Sequence, residues 1–231
     1  MSNKTNPQVE AMFKAGAHFG YSKTRRHASM APFIFTTKNR VDMIDLEKAE
    51  KSLEVAKEYL KSFAQGDKQV LFVGTKPEAR RITQELAESI DMPYVVERWV
   101  GGVITNSPEI KKRITLLQDL QSQKEKGELE KYTKKERLLI DAKIAKMHKL
   151  FSGLVNLRKM PDALLVIDAK KEHIAVTEAH KAHIPVISLI NTDTAIKSVE
   201  FPIIGNDASV SSISFFLKAL VDAYKSGKII K

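Results

Sequence analysis

The chain has 231 residues, 43% hydrophobic and 29% charged, so it can bury a real core and is not a disordered tail. Its formal net charge of +10 favours a polyanionic partner and leaves open whether that is nucleic acid, an anionic membrane or an acidic protein. Cys is absent, which excludes disulfides, thiol catalysis and Cys-ligated zinc or iron–sulfur centres; no apolar run approaches the ~20 residues of a membrane span, and the opening MSNKTNPQVE has no leader pattern, so the expected location is cytoplasmic.

In chain order, the first element is a basic segment. Tyr21-Ser22-Lys23-Thr24-Arg25-Arg26-His27 gathers three cations with a Tyr and a His, and Phe33, Phe35, Lys38 and Arg40 follow. Phe33 and Phe35 read as core positions of an alternating strand. Lys23, Arg25 and Arg26 cannot be core without partners, so they are assigned to phosphate, for which an arginine fork is well shaped. From Asp45 to Gly66 apolar residues recur at helical spacing: Leu46, Ala49, Leu53, Ala56, Leu60, Phe63. The period then changes. Val70-Leu71-Phe72-Val73, ended by Gly74, is a continuous apolar run of the kind a buried parallel strand needs. Pro77 suits the first turn of a helix over 78–90, and Tyr94-Val95-Val96 is a second strand candidate.

Residues 107–158 break the alternation. Ser107 is placed to cap a helix with Pro108 in its first turn, and Ile110, Ile114 and Leu117 step by four and three. The polar stretch from Gln121 to Thr133 around Gly127 reads as a turn. Thr133-Lys134-Lys135-Glu136 has capping-box spacing for a second helix, in which Ile140, Ile144, Met147, Phe151 and Leu154 step 4, 3, 4, 3. That is a heptad seam, so the pair is expected to form an antiparallel coiled-coil hairpin. Beyond it come a strand over Ala163–Ile167 closed by Asp168, a helix over 172–182 and a strand over Pro185–Ile190. A short strand at Ile203-Ile204 and a helix over 209–226 with Gly227 just past it complete the chain. Alternating strands and helices require crossovers, which gives an open parallel α/β sheet with helices on both faces. The expected organisation is a sheet domain from residues 1–106 and 159–231, with 107–158 inserted as an arm.

The charge is segregated along this plan. Residues 1–40 hold 7 Lys/Arg and 1 acid, net +6, and residues 106–158 hold 13 and 7, again +6. Residues 41–105 carry 9 and 12, net −3, and residues 159–231 carry 9 and 8, net +1. The excess therefore lies in two segments on a nearly neutral scaffold. The arm contributes Lys111-Lys112-Arg113 near its base and Lys134-Lys135 on the side of its turn.

Catalytic patterns are weak. Gly74-Thr75-Lys76 sits between a strand and a helix but lacks the paired glycines of a phosphate loop. His173, His180 and His183 lie on or near one helix without a completed ligand set, and no Gly-x-Ser-x-Gly elbow occurs. The alternative reading is a nucleotide-binding protein or enzyme using Lys76, Asp168 and Asp207 at the carboxyl edge of the sheet, where α/β ligands bind. A further alternative makes the arm mainly a protein-docking coiled coil.

Several strings, in this order, resemble one family. They are Ala15-Gly16-Ala17-His18-Phe19-Gly20, Thr24-Arg25-Arg26, Met30-Ala31-Pro32-Phe33-Ile34-Phe35 and Ile44-Asp45-Leu46-Glu47-Lys48. Leu71-Phe72-Val73-Gly74-Thr75-Lys76 and Arg98-Trp99-Val100-Gly101-Gly102-Val103-Ile104-Thr105-Asn106 continue the order, as do Pro161-Asp162-Ala163 and Phe201-Pro202-Ile203-Ile204-Gly205-Asn206-Asp207-Ala208. Together they resemble bacterial ribosomal protein S2 over about residues 8 to 226. The resemblance implies a flavodoxin-like sheet with a helical-hairpin insertion, no catalysis, no cofactor and a place on the small ribosomal subunit. It implies small-subunit rRNA as the polyanion, contacted through basic loops and the hairpin; the residues assigned to that contact from the charge pattern are Lys23, Arg25, Arg26, His27, Lys38, Arg40, Lys111, Lys112, Arg113, Lys134 and Lys135. It also implies neighbouring ribosomal proteins as partners, among them the large OB-repeat protein near the mRNA exit. Two runs depart from the family: Asn191-Thr192-Asp193-Thr194-Ala195-Ile196 replaces its usual Asp-Thr-Asn run, and His27-Ala28-Ser29 stands where Trp-Asn-Pro-Lys is common. Contacts at both places are expected to differ from the family's. Reversing Arg25 and Arg26 to Glu is expected to weaken assembly without unfolding the domain.

Overall fold

The computed structural model describes residues 6–64, 66 and 68–229. The chain begins with helix α1, Pro7–Lys14, started by Asn6, whose side chain accepts from the Gln8 amide, with Pro7 in the first turn. Strands β1 (Phe19–Ser22), β2 (Ile34–Lys38) and β3 (Val41–Ile44) form a small antiparallel sheet in the order β1-β3-β2. The tight turn between β2 and β3 places Asn39 at φ 51° and Arg40 at φ 63°, the left-handed pair that a type I′ hairpin turn requires. Helix α2, Leu46–Phe63, is capped by Asp45, which accepts from the amides of Glu47 and Lys48. Its apolar face is the one expected, with Ala49, Leu53, Ala56, Leu60 and Phe63 buried.

The second sheet is parallel. It contains β4 (Val70–Val73), β5 (Tyr94–Val95), β6 (Ala163–Ile167), β7 (Val186–Ile190) and β8 (Phe201–Ile204) in the order β5-β4-β6-β7-β8. This is the doubly wound, flavodoxin-like order. The chain leaves β4 toward β5 through helix α3 (Pro77–Glu88) and leaves β6 the other way through helix α6 (His173–Lys181). Right-handed crossovers then put the two helices on opposite faces. β4, β6 and β7 are buried at every position, which explains their uninterrupted apolar runs. Each large apolar side chain buried there contributes about 1.5–3 kcal/mol.

Between β5 and β6 lie helix α4, Ser107–Glu125, and helix α5, Lys134–Phe151. The cap of α4 is Asn106, so Ser107 is its first residue and not its cap. α4 runs further than expected and ends before Gly127, whose φ of 73° lets the chain turn. The capping box at Thr133 and Glu136 forms as its spacing indicated. Lys124 Nζ meets Asp141 Oδ1 at 2.6 Å, tying the end of α4 to the early part of α5. Ile114, Leu117, Ile144, Met147 and Phe151 are buried and continuous with the main core.

The last helix, α7, spans Val210–Ile229. Gly227 therefore lies inside it and does not stop it. A Cβ at Gly227 would stand 2.7 Å from Ala64 Cβ, so this glycine serves the close approach of α7 to the end of α2. No helix among the described residues is long and apolar enough to cross a membrane.

Candidate nucleic-acid interface

The basic N-terminal segment is mounted on the carboxyl edge of the parallel sheet. The Tyr21 amide donates to Thr192 Oγ1 at 2.9 Å and the His27 amide donates to the Thr192 carbonyl at 2.8 Å. The fit depends on Gly20, because a Cβ there would stand 2.6 Å from Thr192 Cγ2 and 2.9 Å from the Asp42 carbonyl. Thr192 belongs to the loop after β7, so strand β1 and the turn after it cover the crevice where α/β folds usually admit ligands.

The small sheet collects part of the expected cation set. Ser22 and Lys38 both pair with Val41, and the Lys23 amide donates to the Arg40 carbonyl at 2.9 Å. Lys23, Lys38 and Arg40 are thus brought to one end of this ribbon, and all three are exposed. Arg40 holds left-handed backbone at the tip, a conformation that disfavours any residue with a Cβ. Phe35 is 79% exposed, which corrects its reading as core; β2 is an edge strand exposed at every position after Ile34. Phe33 is partly buried and packs against the core as expected.

The paired arginines have internal partners. Arg26 Nε donates to Asp42 Oδ2 at 2.7 Å, and Arg26 Nη2 donates to Asp42 Oδ1 and to Thr37 Oγ1. Asp42 is fully buried, and Arg26 foremost, with Thr37 adding to it, holds its carboxyl below the usual range. The expectation that Arg26 can be reversed without harm to the fold is therefore corrected: Arg26→Glu would set a second carboxylate against a buried one. Arg25 Nη2 reaches Asp193 Oδ2 at 3.1 Å while its guanidinium lies over the Tyr21 ring at 4.2 Å. His27 is exposed, and its Nδ1 accepts from the Ser29 amide.

In the insert, Lys111, Lys112, Arg113, Lys134 and Lys135 are exposed, and Lys112 pairs with Glu109 at 2.6 Å. The two sets are not brought together. From Lys112 to the end of α4 the helix rises roughly 20 Å, and α5 starts beyond the turn. What anchors the loop leading into the insert is a residue that sequence reasoning missed. Glu178 of α6 accepts at Oε1 from Trp99 Nε1 (3.1 Å) and the Gly102 amide (2.7 Å). Its Oε2 accepts from the Ile104 and Thr105 amides and the Thr105 hydroxyl, each at 3.1 Å. Burial opposes this charge, but the donors outweigh it and the pKa lies below the ordinary value. No local spacing marks Glu178, since its partners lie more than 70 residues away.

The alternative site also assembles. Lys76 Nζ lies 2.6 Å from Asp168 Oδ2 and 2.7 Å from Asp207 Oδ2, at the point where strand order reverses between β4 and β6. Burial works against the ammonium, but Asp207 and Asp168 prevail and hold the Lys76 pKa above its ordinary value. Asn191 Nδ2 donates to Asp207 Oδ1 at 2.9 Å, and Lys76 Nζ donates to the Tyr21 hydroxyl at 3.4 Å. Burial foremost raises the Asp207 pKa, against the pull of Lys76, and all three side chains of this internally paired group are buried. Among the described residues no group of three or more His, Asp or Glu is placed to hold a metal; His180 pairs with Glu200 at 3.3 Å.

A flavodoxin-like parallel sheet, with exposed cations on an attached small sheet and on the helices between β5 and β6, defines the class of this chain as an α/β scaffold. A family model described as ribosomal protein S2 matches residues 12–227. Among similar proteins, "Small ribosomal subunit protein uS2" of Pseudoalteromonas translucida is 38% identical over 223 residues, covering 96% of this chain and 92% of the relative. The protein of the same name from Chlorobium phaeobacteroides is 37% identical over 224 residues, covering 97% and 89%. That from Parabacteroides distasonis is 37% identical over 218 residues, covering 94% and 78%. The chain belongs to the ribosomal protein S2 family, whose members are structural and non-enzymatic.

Proposed function

We propose that this chain works as a structural component of the small ribosomal subunit by neutralising rRNA phosphates with its ribbon cations. The observation that carries the reading is the gathering of exposed Lys23, Lys38 and Arg40 at one end of the β1-β3-β2 sheet. A strained left-handed Arg40 at the tip supports it, since a turn selected for stability alone favours Gly there. The insert adds Lys111, Lys112, Arg113, Lys134 and Lys135 as a separate contact, so the protein bridges RNA segments and does not grip one. Exposed Phe13 and Phe35 line a groove of about 440 Å³ beside the ribbon and support contact with a neighbouring ribosomal protein, for which the large OB-repeat protein is the candidate.

The test is a triple substitution of Lys23, Lys38 and Arg40 to Gln. It is expected to leave the thermal midpoint unchanged and to reduce incorporation into small subunits. The slope of log K against log salt for rRNA should fall by about 2–3, since each lost phosphate contact removes about 0.7–0.9. Normal incorporation with an unchanged slope sinks the proposal.

A further inference from the structure

The loop after β7, where the sequence leaves the family's usual run, supplies a buried carboxylate that the reading above does not use. Asp193 is 7% exposed. Its Oδ2 meets Arg25 Nη2 at 3.1 Å and Lys170 Nζ at 3.0 Å. The two cations come from different elements: Arg25 follows β1 and Lys170 lies between β6 and α6. Sharing one oxygen keeps their nitrogens within 6.1 Å of each other, the sum of the two distances. Their side chains nevertheless remain 56% and 55% exposed. Ion pairs this open contribute little stability, so stability alone does not account for the arrangement. The support beneath it is rigid. The Arg25 guanidinium is held between Asp193 and the Tyr21 ring, and Tyr21 in turn rests on Lys76, which is fixed by Asp168 and Asp207. The closed cluster at the sheet edge thus serves as a footing for two outward-facing cations, and the trio of Arg25, Lys170 and Asp193 keeps net +1.

We propose that Arg25 and Lys170, paired by buried Asp193, form a two-cation clamp for the RNA phosphate backbone at the carboxyl edge of the parallel sheet. The proposal rests on the RNA-contact reading and extends it from the ribbon to the sheet domain, with Lys170 as a contact and Asp193 as a positioning residue. Two nitrogens at this spacing suit two oxygens of one phosphate or neighbouring phosphates on a strand, and the fixed guanidinium needs little ordering on binding.

The test is equilibrium binding of the full chain to in-vitro-transcribed small-subunit rRNA across a range of salt. Lys170→Gln and Arg25→Gln should each weaken binding roughly two- to tenfold and lower the salt slope by about 0.7–0.9. Asp193→Asn gives a test of sign. It raises the net positive charge by one, so a surface acting by charge alone binds RNA more tightly; a clamp that has lost its positioning carboxylate binds more weakly. Tighter binding by folded Asp193→Asn, or an unchanged slope for Lys170→Gln, overturns the clamp. Should Asp193→Asn not fold, the two substitutions of exposed side chains decide the matter alone. Lys23→Gln and Lys38→Gln separate the two readings. If they weaken binding while Lys170→Gln does not, the clamp fails and the ribbon contact stands; if none of them has an effect, both fail.

Discussion

Replacing Glu178 with Gln probes the anchoring of the 99–105 loop with a change of one heavy atom. The carboxylate accepts from five donors, two at Oε1 and three at Oε2. An amide has one acceptor oxygen. Its best orientation keeps that oxygen on the three-donor side and turns its NH2 toward the Trp99 indole and the Gly102 amide. Those two donors are then left without an acceptor, at about 1–3 kcal/mol each, or about 2–6 kcal/mol together. For a chain of this size the thermal midpoint should drop by roughly 4–24 °C. Hydrogen exchange should quicken first at Gly102, whose amide loses its acceptor, while the Ile104 and Thr105 amides keep theirs. Glu172→Gln is the matched control. Burial pushes Glu172 above the ordinary value, and its main partner is the Thr75 hydroxyl, which an amide oxygen also accepts. Neutralising Glu172 is therefore expected to leave the midpoint unchanged or to raise it. A Glu178→Gln midpoint within about 1 °C of the parent, with the Gly102 amide exchanging as before, would refute the view that this carboxylate holds the loop.

Arg26→Ala should cost about 3–5 kcal/mol in urea unfolding, because it strands the buried Asp42 carboxylate; Arg25→Ala should cost under about 1 kcal/mol, since its pair is half open to water. Asp42, through Arg26 first, and Glu178, whose donors overcome burial, both have pKa values lowered in the fold. Groups of that sign stabilise fully above their unfolded pKa near 4 and lose the contribution as pH falls through the folded value. Thermal midpoints should accordingly decline below about pH 5, and less steeply in Arg26→Ala; equal slopes would remove Asp42 from the account. Arg40→Gly should raise stability by about 1 kcal/mol while weakening rRNA binding, and a gain in both would separate the strained tip from RNA contact.

The parallel sheet was readable because burial on both faces removes alternation, leaving runs such as Val70–Val73 and Ala163–Ile167 with no competing period. Helix α2 was readable because a single face is buried. Gly227 misled, since a glycine near a helix end signals a stop only if no partner helix needs the room, and Ala64 and Lys61 fill that room here. Phe35 misled because alternation identifies a strand but not whether both of its faces are covered. The site was legible as composition and not as geometry. Lys23, Arg25 and Arg26 read alike in sequence, yet Asp42 makes Arg26 structural and Asp193 orients Arg25. Asp42, Glu178 and Asp193 bear no local signature, because the donors they serve arrive from other elements.

The way the basic ribbon is mounted also fixes a timetable for synthesis. Tyr21 bonds to Thr192 across 171 residues, Arg25 meets Asp193 across 168, and the Asn206 amide donates to the Ala17 carbonyl. The ribbon therefore remains unlocked until residues 192–206 have been made. Closing so long a loop adds little to the equilibrium cost, which grows only with the logarithm of length, but it delays the event. A nascent chain halted before β7 would carry all the ribbon's cations with no edge to set them on. Completion of the proposed RNA-contact surface thus waits on synthesis through Asn206, and a product halted before β7 lacks the contacts that mount the ribbon.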